Sequence, residues 1–143
     1  MNHVKEFEYY LKRNIVKKQI PDLARAKALV EESNESYKIL ISFIKNNKIN
    51  EKNSNYIIKN TYDIIMELVR AKMLSEGFNA SGQGAHEAEV SFLRNLKFTE
   101  KDIDFADKMR YFRNGIVYYG KRFDEEYAKK VLNFLEKIYL RLK

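Results

Sequence analysis

The sequence predicts an all-α fold, an antiparallel bundle of about five to six helices. Three observations predict it. One proline and five glycines in 143 residues leave too few breaks for a many-stranded fold. Long stretches rich in Leu, Ile, Glu, Lys and Ala carry apolar residues at helical spacing. No pair of strand-like runs joined by a tight turn stands anywhere in the chain. The connections between the periodic stretches are short, which favours antiparallel neighbours in a single domain over residues 1–143.

Residues 4–19 read as a first helix. Phe7, Tyr10, Leu11 and Ile15 recur at helical spacing, and Lys12, Arg13, Lys17 and Lys18 form a basic run. Residues 1–20 are therefore expected to dock as a helix on a bundle formed by 22–143, with the cations in solvent. A phosphate-tracking patch is the alternative. A membrane-surface helix is opposed by Glu6 and Glu8. Pro21 ends this helix and Asp22 caps the next.

The second helix spans about 22–46, with Ala26, Leu29, Val30, Ser33, Tyr37, Leu40, Ile41 and Ile44 on its buried side. Glu31, Glu32 and Glu35 cluster mid-helix. Paired carboxylates can do acid–base work or hold a metal, but Lys27 and Lys38 are close by, so they read as a solvated face. A polar loop over 46–54 leads to a third helix, about 54–77, capped by Asn53 or Ser54 and closed by Gly77. Tyr56, Ile57, Ile58, Tyr62, Ile65, Leu68, Val69 and Met73 give it a wide apolar face, which makes it the expected central helix.

Residues 78–84 carry two glycines and read as a hinge, with an anion-binding nest as the sharper alternative. A short helix from Ala85 to Leu96 follows. His86 and Glu87 are adjacent and point to different faces, and His3 is the only other histidine, so no histidine metal site is expected. Thr99, with Asp102 three residues on, reads as a capping box. The helix it opens ends at Gly120. Asp124 caps a last helix over 125–142, packed by Tyr127, Val131, Phe134, Leu135, Ile138 and Leu142.

Composition narrows the function classes. With no cysteine there are no disulfides and no thiolate zinc site, which fits a cytoplasmic protein. No apolar run approaches a membrane span, and the first residues lack the apolar core of a signal peptide. Lys and Arg number 27 against 20 Asp and Glu, a net charge of +7. Such a field favours anionic partners, nucleic acid foremost, although an excess of lysine also serves solubility alone.

The segment from Lys108 to Phe123 tips this balance. It interleaves Arg110, Arg113, Lys121 and Arg122 with Tyr111, Phe112, Tyr118, Tyr119 and Phe123, and only Gly115 interrupts its helical pattern. Phe105, Met109, Phe112, Ile116 and Tyr119 form an apolar stripe for the core. Arg110, Asn114 and Tyr118 follow each other at intervals of four on another face, with Arg113 on the flank. Guanidinium forks match phosphate oxygens, and aromatic rings stack on bases. The opposite reading is a hydrogen-bonded brace between two helices.

Arg113-Asn114 followed by Tyr118 resembles the signature of the HEPN family (higher eukaryotes and prokaryotes nucleotide-binding domains), which is Arg, usually Asn, a few residues, then His. Residues 60–77, Gly84 to Ala88 and Ser91 to Leu93 also look like the middle helices of archaeal HEPN proteins. The resemblance implies a helical bundle and a homodimer whose two motifs face each other. It also implies, in active relatives, a metal-independent ribonuclease, and a minimal nucleotidyltransferase as a protein partner. Tyr118 stands where the family has histidine. A phenol ordinarily titrates near pH 10 and an imidazole near about 6.5; bringing a phenol to neutrality takes roughly 4 kcal/mol. The expectation is a catalytically degenerate binder of RNA or a nucleotide, without cofactor or metal, using Arg110, Arg113, Asn114, Tyr118, Lys121 and Arg122. The alternatives are a toxin-type ribonuclease using Arg113 and Tyr118, and a protein-interaction scaffold or antitoxin with no nucleic-acid ligand.

Overall fold

The structure, a computed structural model, describes residues 4–143; His3 lies outside the described residues. Among these, six helices and one two-stranded ribbon follow in the order α1 (Phe7–Lys12), β1 (Val16–Lys18), α2 (Leu23–Asn46), α3 (Ser54–Ser75), β2 (Phe78–Ala80), α4 (Ala85–Asn95), α5 (Glu100–Tyr119) and α6 (Glu125–Leu142). The fold is an all-α bundle.

Helix α3 is central. It packs against α2, α4, α5, α6 and β2, and Ile57, Ile58, Ile64, Ile65, Leu68, Val69, Met73 and Leu74 on it are buried. Apolar residues on nearly every side of a helix require cover on nearly every side. Asn53 stands at the N-terminus of α3 but its side chain makes no cap bond, whereas the other expected N-caps are in place. Asp22 accepts from the Arg25 amide, Asp124 from the Tyr127 amide, and Thr99 and Asp102 close the capping box. The α6 stripe of Val131, Phe134, Leu135, Ile138 and Leu142 is buried as its spacing requires. Among the described residues no helix is long and apolar enough to cross a membrane.

The N-terminal segment departs from expectation. The helix over 4–19 is only six residues long, and it gives way to a strand. Asn14 takes φ +57°, which no helix continues through, and Val16–Lys18 pairs antiparallel with Phe78–Ala80, Val16 opposite Ala80. Strand pairing thus replaces both the expected second half of the first helix and the start of the 78–84 hinge. Pro21 follows the strand and ends no helix. At Gly77, φ +84°, an added Cβ would stand 2.5 Å from the Gln19 carbonyl oxygen, and the Gln19 amide donates to the Gly77 carbonyl at 2.8 Å. The close passage of these two backbones requires glycine.

Candidate functional site

Helix α5 stays helical through Gly115 and stops at Gly120, φ +63°. The Gly120 amide bonds to the Ile116 carbonyl and the Lys121 amide to the Gly115 carbonyl, so the chain turns back on the last turn of the helix. Asn55 of α3 holds that turn from the other side. Its Nδ2 donates to the Lys121 carbonyl at 2.7 Å, and its Oδ1 accepts from the Phe123 amide at 3.0 Å. Phe112 and Phe123 meet at 4.8 Å between ring centroids. Above them lies a cavity of about 430 Å³ whose walls include Tyr111, Asn114, Tyr118, Tyr119 and Lys121. Tyr111, Tyr118 and Tyr119 are 66%, 69% and 78% exposed. Tyr119 was expected in the core stripe. Met109 is buried, but the stripe runs past the edge of the bundle before it reaches the last residue of the helix.

On the other side of α5, a second cavity of about 350 Å³ opens between α3, α4 and α5. Tyr62, Asp63, Glu67 and Arg70 line it from α3, His86 from α4 and Arg113 from α5. Arg70 grips Glu89 with a two-pronged bond, Nε to Oε2 at 2.6 Å and Nη2 to Oε1 at 3.0 Å. The His86 Nδ1 lies 3.5 Å from Glu89 Oε1. Burial alone would raise the Glu89 carboxyl, but hydrogen bonds from His86 and Arg70 outweigh it and hold the group below its ordinary range. Arg113 is less well served. Its Nε stands 3.5 Å from Asp63 Oδ1, is buried, and makes no hydrogen bond. The hydroxyl of Tyr62, a residue only 2% exposed, likewise has no partner. Burial raises the Asp63 carboxyl against the pull of Arg113, and burial with nearby Glu32 raises Glu67.

The structure therefore divides the residues singled out in the sequence. Asn114, Tyr118 and Lys121 line the aromatic cavity, and Arg113 lines the polar one. Arg122 lines a third hollow with Glu51, Lys52 and Asp124, bordered on one side by Phe123 of the aromatic cavity. Arg110 is committed to acidic neighbours: its Nε donates to Asp107 Oδ1 at 2.8 Å and its Nη2 stands 3.8 Å from Glu87 Oε1. Arg113 and Tyr118, the pair a ribonuclease would need, open into different cavities of the same chain. The polar cavity also holds residues that sequence reasoning left structural or unmentioned, namely Tyr62, Asp63, Glu67 and His86. The legible signal was Asp63, Glu67 and Arg70, spaced four and three on one face of α3. Among the described residues no cluster of three or more His, Cys, Asp or Glu could hold a metal ion.

Compared with family models, curated proteins and solved structures, the chain gives no match in any of the three.

Proposed function

We propose that this chain is a HEPN-like cytoplasmic protein that binds RNA or a nucleotide without cutting it, and that it works as a homodimer. One observation carries the reading. Exposed Tyr111, Tyr118 and Tyr119 stand with Asn114 and Lys121 around an open cavity at the end of α5. Exposed rings beside a cation are what single-stranded nucleic acid uses, because every base has a face to stack and every backbone a charge to meet. The net charge of +7 adds a long-range attraction. Binding without cleavage is supported by the separation of Arg113 from Tyr118 and by a phenol at the position of the family's proton carrier.

The same exposed tyrosines, with Val117 beside them at 43% exposure, favour a protein contact as the second reading. That contact would be a second copy of the chain or a minimal nucleotidyltransferase partner. The test is fluorescence anisotropy with single-stranded RNA in EDTA, alongside light scattering. The expected mass is twice 17.1 kDa. The logarithm of affinity should fall linearly with the logarithm of salt concentration. Tyr118→Ala and Lys121→Ala should each weaken binding about tenfold. RNA affinity that is absent, or indifferent to both changes, leaves the protein-contact reading in its place. Cleavage in EDTA that Arg113→Ala abolishes makes the chain a ribonuclease.

A further inference from the structure

The polar cavity between α3, α4 and α5 is built of groups with unused hydrogen-bonding capacity. Arg113 has a buried Nε without a bond and keeps 21% of its side chain exposed. The Tyr62 hydroxyl in the wall is buried and unpartnered. Among the described residues Glu67 makes no salt bridge, although Arg70 lies near enough to act on its charge, and Asp63 touches Arg113 only at 3.5 Å. Unpartnered buried polar groups are costly, and this cavity gathers two of them beside two carboxylates, which suits a ligand that can bond to both kinds of group.

Charge decides against a phosphate. Glu89 and Arg70 cancel each other through their two-pronged bond. That leaves one guanidinium facing the carboxylates of Asp63 and Glu67, with His86 at the rim, its side chain 53% exposed. A phosphoryl group would enter against two negative charges at close range. A neutral ligand avoids that repulsion if it gives N–H to the carboxylates and accepts from the guanidinium. The edge of a nucleobase has this alternation. Among the four bases only guanine carries two adjacent ring-edge donors, N1–H and the N2 amine, beside an acceptor, O6.

We infer that this cavity takes the Watson–Crick edge of a guanine, with N1–H and the N2 amine donating to Asp63 and Glu67, and O6 accepting from Arg113. His86 and Met66 also line the cavity. The inference rests on the RNA or nucleotide reading and gives it a base preference. The aromatic cavity would then hold the chain without regard to sequence, and the polar one would select.

The experiment is calorimetric titration of the intact protein with GMP, AMP, CMP, UMP and inosine monophosphate, which lacks only the N2 amine. GMP should bind about ten- to a hundredfold tighter than AMP, and inosine monophosphate should lose much of that margin. Asp63→Asn puts a donor where an acceptor is needed and should bring GMP affinity down to that of AMP. Glu67→Gln is the second probe, and thermal melting shows that each variant is folded. Equal affinity for all five nucleotides, or a preference for GMP that survives both changes, overturns the inference and leaves the stacking cavity standing. Failure of every nucleotide and of RNA to bind overturns both.

Discussion

The Tyr10 hydroxyl donates to Glu87 Oε2 at 2.7 Å, and the other oxygen of Glu87 stands 3.8 Å from Arg110. A phenol from the N-terminal helix thus joins a carboxylate of α4 to an arginine of α5. The Lys5 amide donates to the same hydroxyl. Tyr10 is 1% exposed, and burial together with Glu87 pushes its phenol up, so it keeps its proton as the donor. Tyr10→Phe removes the hydroxyl and leaves the Lys5 amide and the carboxylate short of a partner. Urea denaturation should show a loss of about 1–2 kcal/mol. A variant as stable as the wild type would mean that water replaces the hydroxyl at no cost.

Breaking the Arg70–Glu89 pair should be far more damaging. Glu89 is 3% exposed, and Arg70→Ala would leave its charge without its strongest partner. The expected loss at neutral pH is about 3–5 kcal/mol. Replacing both by methionine should recover much of it, because no charge is then stranded. If the double variant is no better than the single, packing and not charge is what Arg70 supplies.

The same pair sets an acid limb. Glu89 has a depressed pKa in the folded protein, so its contribution is complete above its unfolded value of 4.5 and is lost as pH falls through the lower folded value. Asp102 behaves alike. Burial opposes its ionisation, but bonds to the carboxylate from Lys137 Nζ at 2.8 Å and from the Thr99 amide prevail. Stability followed from pH 7 downward should drop below about pH 4.5, and Glu89→Gln should flatten part of that drop. A parallel curve for the variant counts against the assignment.

Glu67 runs the other way. Burial and Glu32 raise its pKa, so folding favours its protonated form and its charge is a cost at neutral pH. Glu67→Gln should raise the melting temperature at pH 7. The advantage should shrink as the wild-type carboxyl gains its proton on acidification. A variant that melts lower at pH 7 would show that the charge is held by something stronger than the burial that opposes it.

Two glycines with positive φ should respond unequally to alanine. At Gly120 nothing lies within 4 Å of an added Cβ, so only the left-handed backbone is penalised, about 1 kcal/mol. At Gly77 the new atom meets the Gln19 carbonyl at 2.5 Å, and the loss should exceed the Gly120 value by about 1–3 kcal/mol. Equal losses, measured side by side in urea, would mean that the 19–21 segment moves away freely.

What could be read in advance was local. Asp22, Thr99 with Asp102, Gly120 and Asp124 mark helix ends through partners within five residues, and each cap or stop is where its residue type puts it. The α6 stripe was legible because one face of one helix meets the core along its whole length. The β1–β2 ribbon was not. Val16 pairs with Ala80, far along the chain, and three residues are too few to carry an alternating pattern between helix-like flanks. The exposure of Tyr119 was hidden for a related reason: spacing shows which face a residue is on, not where the neighbouring helix ends. The polar cavity escaped because its members come from three helices, and an ion pair such as Arg113–Asp63 leaves no trace in local spacing.

The N-terminal segment is buckled down at points along its length. Arg94 donates to the carbonyls of Val4 and Lys5 at 2.7 and 2.6 Å, the Ser81 amide to Ile15, and the Asp22 amide to the Leu74 carbonyl. Phe7 sits edge-on to both Phe78 and Phe92. Pro21 is therefore no place to cut. A chain begun at residue 22 would open the phenylalanine cluster to water, strip β2 of its partner strand and leave Glu87 without Tyr10. It should be recovered as aggregate, whereas the intact chain cut at a protease site engineered after Ile20, which is 87% exposed, should keep its two pieces together until it is unfolded.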